Sequence, residues 1–306
     1  MDPIERINIA KDSTFAMLLA AQARGWALRY MQLPDLRIDN GQARAQMRPV
    51  TVRDDRDDWF DLGDIEDDAL ESLDIILMRK DPPFDMEYIY ATYVLDLAAA
   101  AGVLVSNPPQ ALRDLNEKAA CAWFPALCPA TLITRSMRQM RDFLDIHERI
   151  VVKPLDGMGG KSIFVIERGD LNTGVVLETL TGFGTRFAMA QAHVAEIDDG
   201  DKRILIVDGE PVDYCLARIP APGESRGNLA AGARAESRPL SESDRNIALE
   251  VGAFLAARDV TFAGIDVIGD RLTEINVTSP TCIRELDRDF GLDIAGDYLD
   301  ALGRRL

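Results

Sequence analysis

The sequence predicts an α/β protein built from two or three sub-domains that share a large core. Three observations carry that expectation. Helical and strand hydrophobic periods alternate through most of the chain. The 306 residues exceed one typical domain, and 47% of them are apolar, which excludes disorder. Buried-looking strands also deliver charged side chains to their C-terminal ends, where open α/β sheets place ligands.

The elements follow in order. Ser13 is expected to cap a helix over "TFAMLLAAQARG" that Gly25 stops, and "WALRYM" reads as the next strand. Asn40-Gly41 predicts a hairpin between "LRID" and "QARAQ". The acidic stretch "DDRDDWFDLGDIEDDALE" reads as a solvated loop and helix face. "LDIILMRKD" is a buried strand that carries Arg79, Lys80 and Asp81 to its end, ahead of Pro82-Pro83. A helix from about Met86 to Ala101, a strand "VLVSN" and a turn at Pro108-Pro109 complete a first domain over 1–116. "QALRDLNEKAACAWF" reads as one bridging helix bearing Lys118; a small strand-rich unit then fills 117–195 and a third unit 196–306. No internal repeat, low-complexity tract or long charge block is present.

Composition narrows the function. A net charge of −17 argues against nucleic acid and anionic membranes, so any phosphate ligand must be held by a local basic pocket within an acidic shell. Cys121, Cys128, Cys215 and Cys282 are widely spaced with no CxxC, which fits a reducing cytoplasm rather than a disulfide framework or zinc ribbon. With only His147 and His193, a histidine base or histidine metal site is improbable, and a bound metal is expected to have oxygen ligands, hence magnesium. No apolar run reaches the ~18 residues of a membrane span, and the N-terminus lacks a signal-peptide pattern.

"VVKPLDGMGGKSIF" ends a strand with Lys153 and follows it with Gly157, Gly159 and Gly160. Glycines let backbone N–H groups converge on an anion. The stretch is not a P-loop, because its first required glycine falls on Leu155; nor is it GxGxxG, because the third falls on Ser162. A β-hairpin closing over something negative remains, with an ordinary loose-tipped hairpin as the alternative.

In "GIDVIGDRLTEINVTSP", Glu274 and Asn276 share a strand face, roughly 7 Å apart at the standard rise. A three-residue loop of Gly269, Asp270 and Arg271 would place Ile268 opposite Leu272 and Asp266 opposite Glu274. Two acids and an amide converging this way fit a hard cation such as Mg²⁺ that also binds phosphate oxygens; the alternative is a polar outer hairpin face. "KRILIVDGEPVDYCLARI" reads as a hairpin about Asp208-Gly209 carrying Arg203 and Arg218; "IPAPGESRGNLAAGAR" reads as a lid or a disordered loop, and its Arg226 and Arg234 favour a lid over an anion.

Together these stretches resemble the bacterial glutathione synthetase family of ATP-grasp ligases over nearly the whole chain. The most specific are "ILMRKDPPFD", "KPLDGMGG", "DGDKR", "ARIP" with "RGNLAAG", and "RLTEINVTSPTCIRE". The resemblance implies an ATP-grasp fold: an N-terminal open α/β domain, a small lid domain and a C-terminal α+β domain, with ATP between the last two. It implies that ATP joins γ-glutamylcysteine to glycine, giving glutathione, ADP and phosphate through an acyl phosphate. Lys118, Lys153, the loop Gly157, Met158, Gly159 and Gly160, the segment Gln191, Ala192, His193 and Val194, and Asp201 would bind ATP. Asp266, Glu274 and Asn276 would hold magnesium, with manganese as an alternative. Arg203 and Arg218 would clamp the transferring phosphate, and Arg226 would shield the intermediate. Lys11, Arg79, Asp81, Asn228, Ser279, Thr281 and Arg284 would anchor the peptide and glycine.

By the same likeness the protein is a cytoplasmic homo-oligomer, a dimer or tetramer. The family begins with a short apolar strand ahead of the "MDPI" segment, so Met1 is expected to match an internal methionine, or else a strand of the first sheet is missing. Two alternatives stand beside this reading: a relative that adds amino acids to another peptide or a protein tail, and a non-catalytic ATP-binding module of the same fold.

Overall fold

The computed structural model describes residues 1–157, 159–221 and 232–306. In the N-terminal part, α1 (Ser13–Ala23) packs beside an antiparallel sheet of β1 (Arg29–Tyr30), β2 (Leu36–Asp39), β3 (Gln42–Val52), β4 (Phe60–Leu62) and β5 (Glu66–Ala69), in which β3 pairs with each of the others. The β2–β3 turn puts Asn40 and Gly41 at φ 47° and 83°, the pair of positive angles that matches strand twist in a two-residue hairpin. A parallel pair, β6 (Ile75–Leu77) and β7 (Leu104–Ser106), is connected through α2 (Met86–Ala100) and followed by α3 (Pro109–Asp114).

The central unit is a sheet of β8 (Thr131–Thr134), β9 (Arg149–Pro154), β10 (Phe164–Glu167) and β11 (Ala188–Ala192), in the order β10-β9-β11-β8, with all neighbours antiparallel. Helices α4 (Met137–His147) and α5 (Thr173–Thr181) cover it, and Met140, Ile150, Val152 and Leu177 form a core of its own. The C-terminal sheet orders β12 (Asp201–Val207), β13 (Glu210–Ile219), β14 (Arg234–Pro239), β15 (Phe262–Ile268) and β16 (Arg271–Asn276) as β14-β13-β12-β15-β16.

That last sheet is buried on both faces. Side chains alternate along β12: Ile204 and Ile206 join the core containing Leu95 and Leu112 of the N-terminal part, and Leu205 joins Met17, Phe262 and Tyr298 on the other side. Helix α6 (Glu242–Ala256) contributes Ile247 and Val251 to the first layer, while α7 (Ile283–Phe290) and α8 (Ile294–Gly303) supply Leu286 and Leu299 to the second. The N-terminal and C-terminal parts therefore share hydrophobic cores, whereas the central unit is built around a separate one.

Several expectations need correction. Asp12, not Ser13, caps α1: its carboxylate accepts from Phe15 N–H, and the Ser13 hydroxyl instead accepts from Ile283 N–H at the start of α7. The expected strand over "WALRYM" shrinks to Arg29–Tyr30. The acidic stretch holds β4 and β5 rather than a helix face, and its Asp67 pairs with Arg37 and Arg44. The single bridging helix is broken: α3 ends at Asp114, and a 3-10 turn resumes at Ala119–Trp123. The break has a tertiary cause. Asn116 Oδ1 takes the N–H groups of Lys118 and Ala119, and Ile275 N–H on β16 takes the Glu117 carbonyl, so these backbone groups cannot continue a helical ladder. Arg234, read as part of a lid, opens β14.

One close approach fixes α6 to the sheet. A Cβ on Gly252 would lie 2.0 Å from the carbonyl oxygen of Gly209, at the β12–β13 turn. Gly252→Ala should therefore destabilise the protein by about 1–3 kcal/mol or more, the cost of overpacking against backbone that cannot yield. A urea midpoint equal to wild type would refute the contact.

Candidate active site

The β15–β16 hairpin sets the centre of the site. Asp266 lies opposite Glu274, but not by the expected route: the turn has two residues, Gly269 and Asp270, with Ile268 opposite Arg271 and Val267 opposite Leu272. A β-bulge at Thr273 supplies the odd residue and restores the register, and the Thr273 hydroxyl donates to the Asp266 carbonyl at 3.1 Å. The next strands add cations. Arg203 on β12 is opposite Asp266, and Arg218 on β13 is opposite Asp201. Gly264 leaves room for Arg203, whose Cδ would stand 2.9 Å from a Cβ there.

Arg203 binds both oxygens of Asp266, Arg218 reaches its Oδ2 at 2.9 Å, and Arg218 also pairs with Asp201. Across the cleft, Lys153 Nζ at the end of β9 lies 3.3 Å from Glu274 Oε1, and Lys118 Nζ 3.8 Å from the same oxygen. Lys118 also donates to the Gly157 carbonyl at 2.7 Å, which ties the glycine-rich loop to the lysine. Burial alone would raise the Asp266 carboxyl, but Arg203 and Arg218 outweigh it and hold it well below the ordinary carboxylate range. Glu274 is lowered in the same way, its burial overcome by Lys153 and Lys118. Asp201 goes the other way: burial pushes it up to about 6 despite Arg218.

These groups surround one cavity of about 410 Å³. Lys118, Lys153, Gly157, Gly159, Gly160, Asp201, Arg203, Arg218, Asp266, Glu274 and Asn276 line it. Gln191, Ala192, His193 and Val194 also line it, together with apolar Val151, Ile163, Val165 and Ile268. Asp81, Ser279 and Thr281 complete the lining. The trio suits a hard cation. Asp266 and Glu274 are ionised oxygen donors, and Asn276 adds an amide whose Nδ2 is engaged by the Gly264 carbonyl at 3.2 Å, leaving Oδ1 as its remaining donor to a cation. Among the described residues no cluster of three His, Cys, Asp or Glu side chains forms an alternative metal site.

Three predicted contacts do not line the cavity. Arg79 is buried behind it, donating to the Pro280 carbonyl at 2.8 Å and to Thr14 Oγ1 at 3.2 Å, so it braces the turn that carries Ser279 and Thr281. Arg284 pairs with Asp54 at 2.8 Å, and Lys11 is exposed ahead of α1. Met158, Arg226 and Asn228 lie outside the described residues. Sequence reasoning missed Glu117, which lines the cavity and accepts from the Thr278 hydroxyl at 2.7 Å; burial raises its carboxyl. Its only signal was adjacency to Lys118.

The prokaryotic glutathione synthetase N-terminal domain family matches residues 1–113, and the ATP-grasp domain of the same family matches residues 117–299. The chain belongs to the prokaryotic glutathione synthetase family. Glutathione synthetases from Citrobacter rodentium and Escherichia coli K12 are 58% and 57% identical over all 306 residues, which cover 97% of each relative. Solved structures share the fold at low identity. D-cycloserine synthetase DcsG superposes with a TM-score of 0.67 at 16% identity, over 95% of this chain and 93% of that one. An ATP-grasp RimK domain protein from Sphaerobacter thermophilus gives 0.61 at 16% identity, over 97% and 96%. The fold is thus ATP-grasp. Every cavity residue from Glu117 to Cys282 falls within the stretch matched by the glutathione synthetase ATP-grasp domain, and the N-terminal domain adds Asp81 and Pro82.

Removing Asp266 would leave two buried guanidiniums facing each other. Asp266→Asn should cost about 3–5 kcal/mol of stability near pH 7 in the ligand-free protein. Because the folded carboxyl sits below its ordinary value of 3.8, this stabilisation is present above that pH and fades as pH falls. Urea denaturation at several pH values should therefore show the gap to wild type narrowing in acid; no gap at neutral pH would refute the ion-pair assignment.

Proposed function

We infer that this chain carries out ATP-dependent glutathione synthesis, and we propose the residue roles by which it does so. Family membership over the full length supports the reaction. The observation that carries the roles is the convergence of Lys118, Lys153, Arg203 and Arg218 on Asp266 and Glu274 around one cavity. In the proposed sequence the cysteinyl carboxylate of γ-glutamylcysteine attacks the γ-phosphorus of ATP and ADP leaves. The glycine ammonium gives up a proton, the resulting amine attacks the acyl carbon, and phosphate leaves with the bonding pair and takes up the surplus proton of the attacking nitrogen.

A carboxylate is a poor electrophile until phosphorylated, so the protein's task is to position, neutralise and exclude water. Lys118 and Lys153 hold the ATP phosphates, and the loop from Gly157 through Met158 to Gly160 covers them. Gln191 to Val194 flank the base, and Asp201 completes the nucleotide site. Asp266, Glu274 and Asn276 hold Mg²⁺, with Mn²⁺ as an alternative; a divalent ion bound there neutralises charge on the phosphate oxygens. Arg203 and Arg218 clamp the transferring phosphoryl group, and Arg226 acts from the loop over the intermediate.

Asp81, Ser279, Thr281 and Asn228 contact the peptide and glycine. Arg79 acts through the Pro280 turn, while Lys11 and Arg284 serve at the rim. The units 1–116, 117–195 and 196–306 are proposed as the functional domains. Buried, unpaired cysteines and an acidic surface support a cytoplasmic setting, and no helix among the described residues is long and apolar enough to cross a membrane. Assembly as a dimer or tetramer rests on family likeness.

Phosphate release should require ATP, γ-glutamylcysteine and glycine together; release with neither acceptor, or none at all, would refute the reading. Glu274→Gln should abolish turnover, since it weakens the cation site without deleting volume, in protein that is less stable through loss of the lysine pairing but still folded by circular dichroism; wild-type turnover would refute the metal role. Arg226→Ala should lower turnover more than ATP affinity. A loss confined to nucleotide binding would count against shielding.

A further inference from the structure

Both substrates carry an ammonium group, and the cavity they must enter is dominated by cations. Lys118, Lys153, Arg203 and Arg218 line it, and a divalent ion on Asp266 and Glu274 would add to them. An ammonium approaching the acyl carbon is repelled unless an anion meets it. Asp266, Asp201 and Glu274 are committed to those same cations. Among the described residues two cavity carboxylates have no ion pair, Asp81 and Glu117.

The two differ in position. Asp81 follows β6, where its backbone N–H is bound by Asp2. Glu117 connects Lys118, proposed for phosphate, with the turn proposed for the acceptor. It precedes Lys118, its carbonyl takes the N–H of Ile275 beside Glu274, and its Oε1 accepts from Thr278, which leads into the turn bearing Ser279 and Thr281. With Oε1 oriented by Thr278, Oε2 is the oxygen left for a ligand.

We propose that Glu117 receives the ammonium of the amino-acid acceptor and seats its nitrogen beside the activated carboxyl. The inference rests on the glutathione synthetase reading of the site and adds the anion that reading lacks. Thr278 is the corresponding positioning residue, acting by holding the carboxylate.

Glu117→Gln tests this while keeping an oxygen that accepts from Thr278. It should raise KM for glycine about 10- to 150-fold, the loss of one charge-assisted hydrogen bond, while KM for ATP and γ-glutamylcysteine stays near wild type. Hydroxylamine is uncharged at neutral pH and needs no anion, so hydroxamate formation from γ-glutamylcysteine and ATP should keep its wild-type rate. Thr278→Val should raise KM for glycine less, and Glu117→Asp should recover part of the loss. An unchanged KM for glycine in Glu117→Gln would overturn the proposal. So would parallel loss of hydroxamate and glutathione formation, which would put Glu117 in carboxyl activation or in the fold. Wild-type protein that released no phosphate with both acceptors present would instead defeat the ligase reading itself.

Discussion

The ion pairing between Asp266 and the two arginines, and between Glu274 and the two lysines, is the constraint on which the site depends. Every one of these groups is largely withdrawn from water, where an unpaired charge would cost several kcal/mol. In the ligand-free protein the cations proposed for phosphate and the anions proposed for metal satisfy one another. On the roles proposed above, binding a metal-bound nucleotide would exchange partners: the carboxylates would turn to the metal, and the lysines and arginines to phosphate. No group need be left bare at the end of the exchange, so the site can be both closed and receptive.

The architecture follows from that need. Arg203, Asp266 and Glu274 stand in one row across three neighbouring strands, with Arg218 and Asp201 paired at the next same-face position. The sheet is held on both faces by cores shared with the N-terminal part, so the row is rigid. Lys153 comes from the central unit, whose core is separate. Lys118 comes from the break between the two parts, where a helix would have turned it elsewhere. The opposing charges thus join pieces of the chain that are packed independently.

Much of this was legible in the sequence where local chemistry decides the outcome. Asn40-Gly41 and Asp208-Gly209 encode two-residue hairpins through residues that accept positive φ, and strand alternation put Glu274 and Asn276 on one face. What escaped was settled by distant partners. Helix propensity runs unbroken through "QALRDLNEKAACAWF", but Ile275 claims the Glu117 carbonyl from more than a hundred residues away. Asp12 and Ser13 are equally good caps until Ile283 takes the Ser13 hydroxyl. An arginine at a strand end looks the same whether it meets a ligand or, like Arg79, braces a turn from behind. Asp54 looked like one more solvated acid, yet it holds Arg284.

The bulge at Thr273 also makes the β15–β16 hairpin a matter of parity. One surplus residue in the strand offsets an even-numbered turn, so the two irregularities are meaningful only together. Lengthening the turn by one while deleting the surplus residue keeps Glu274 and Asn276 on the face of Asp266, whereas either change alone turns them to the other side. Homologues could therefore drift between the two solutions only through paired insertions and deletions, and a gapless column-by-column alignment of such chains would mismatch just the few residues between the turn and Thr273 while Asp266 and Glu274 stayed in place.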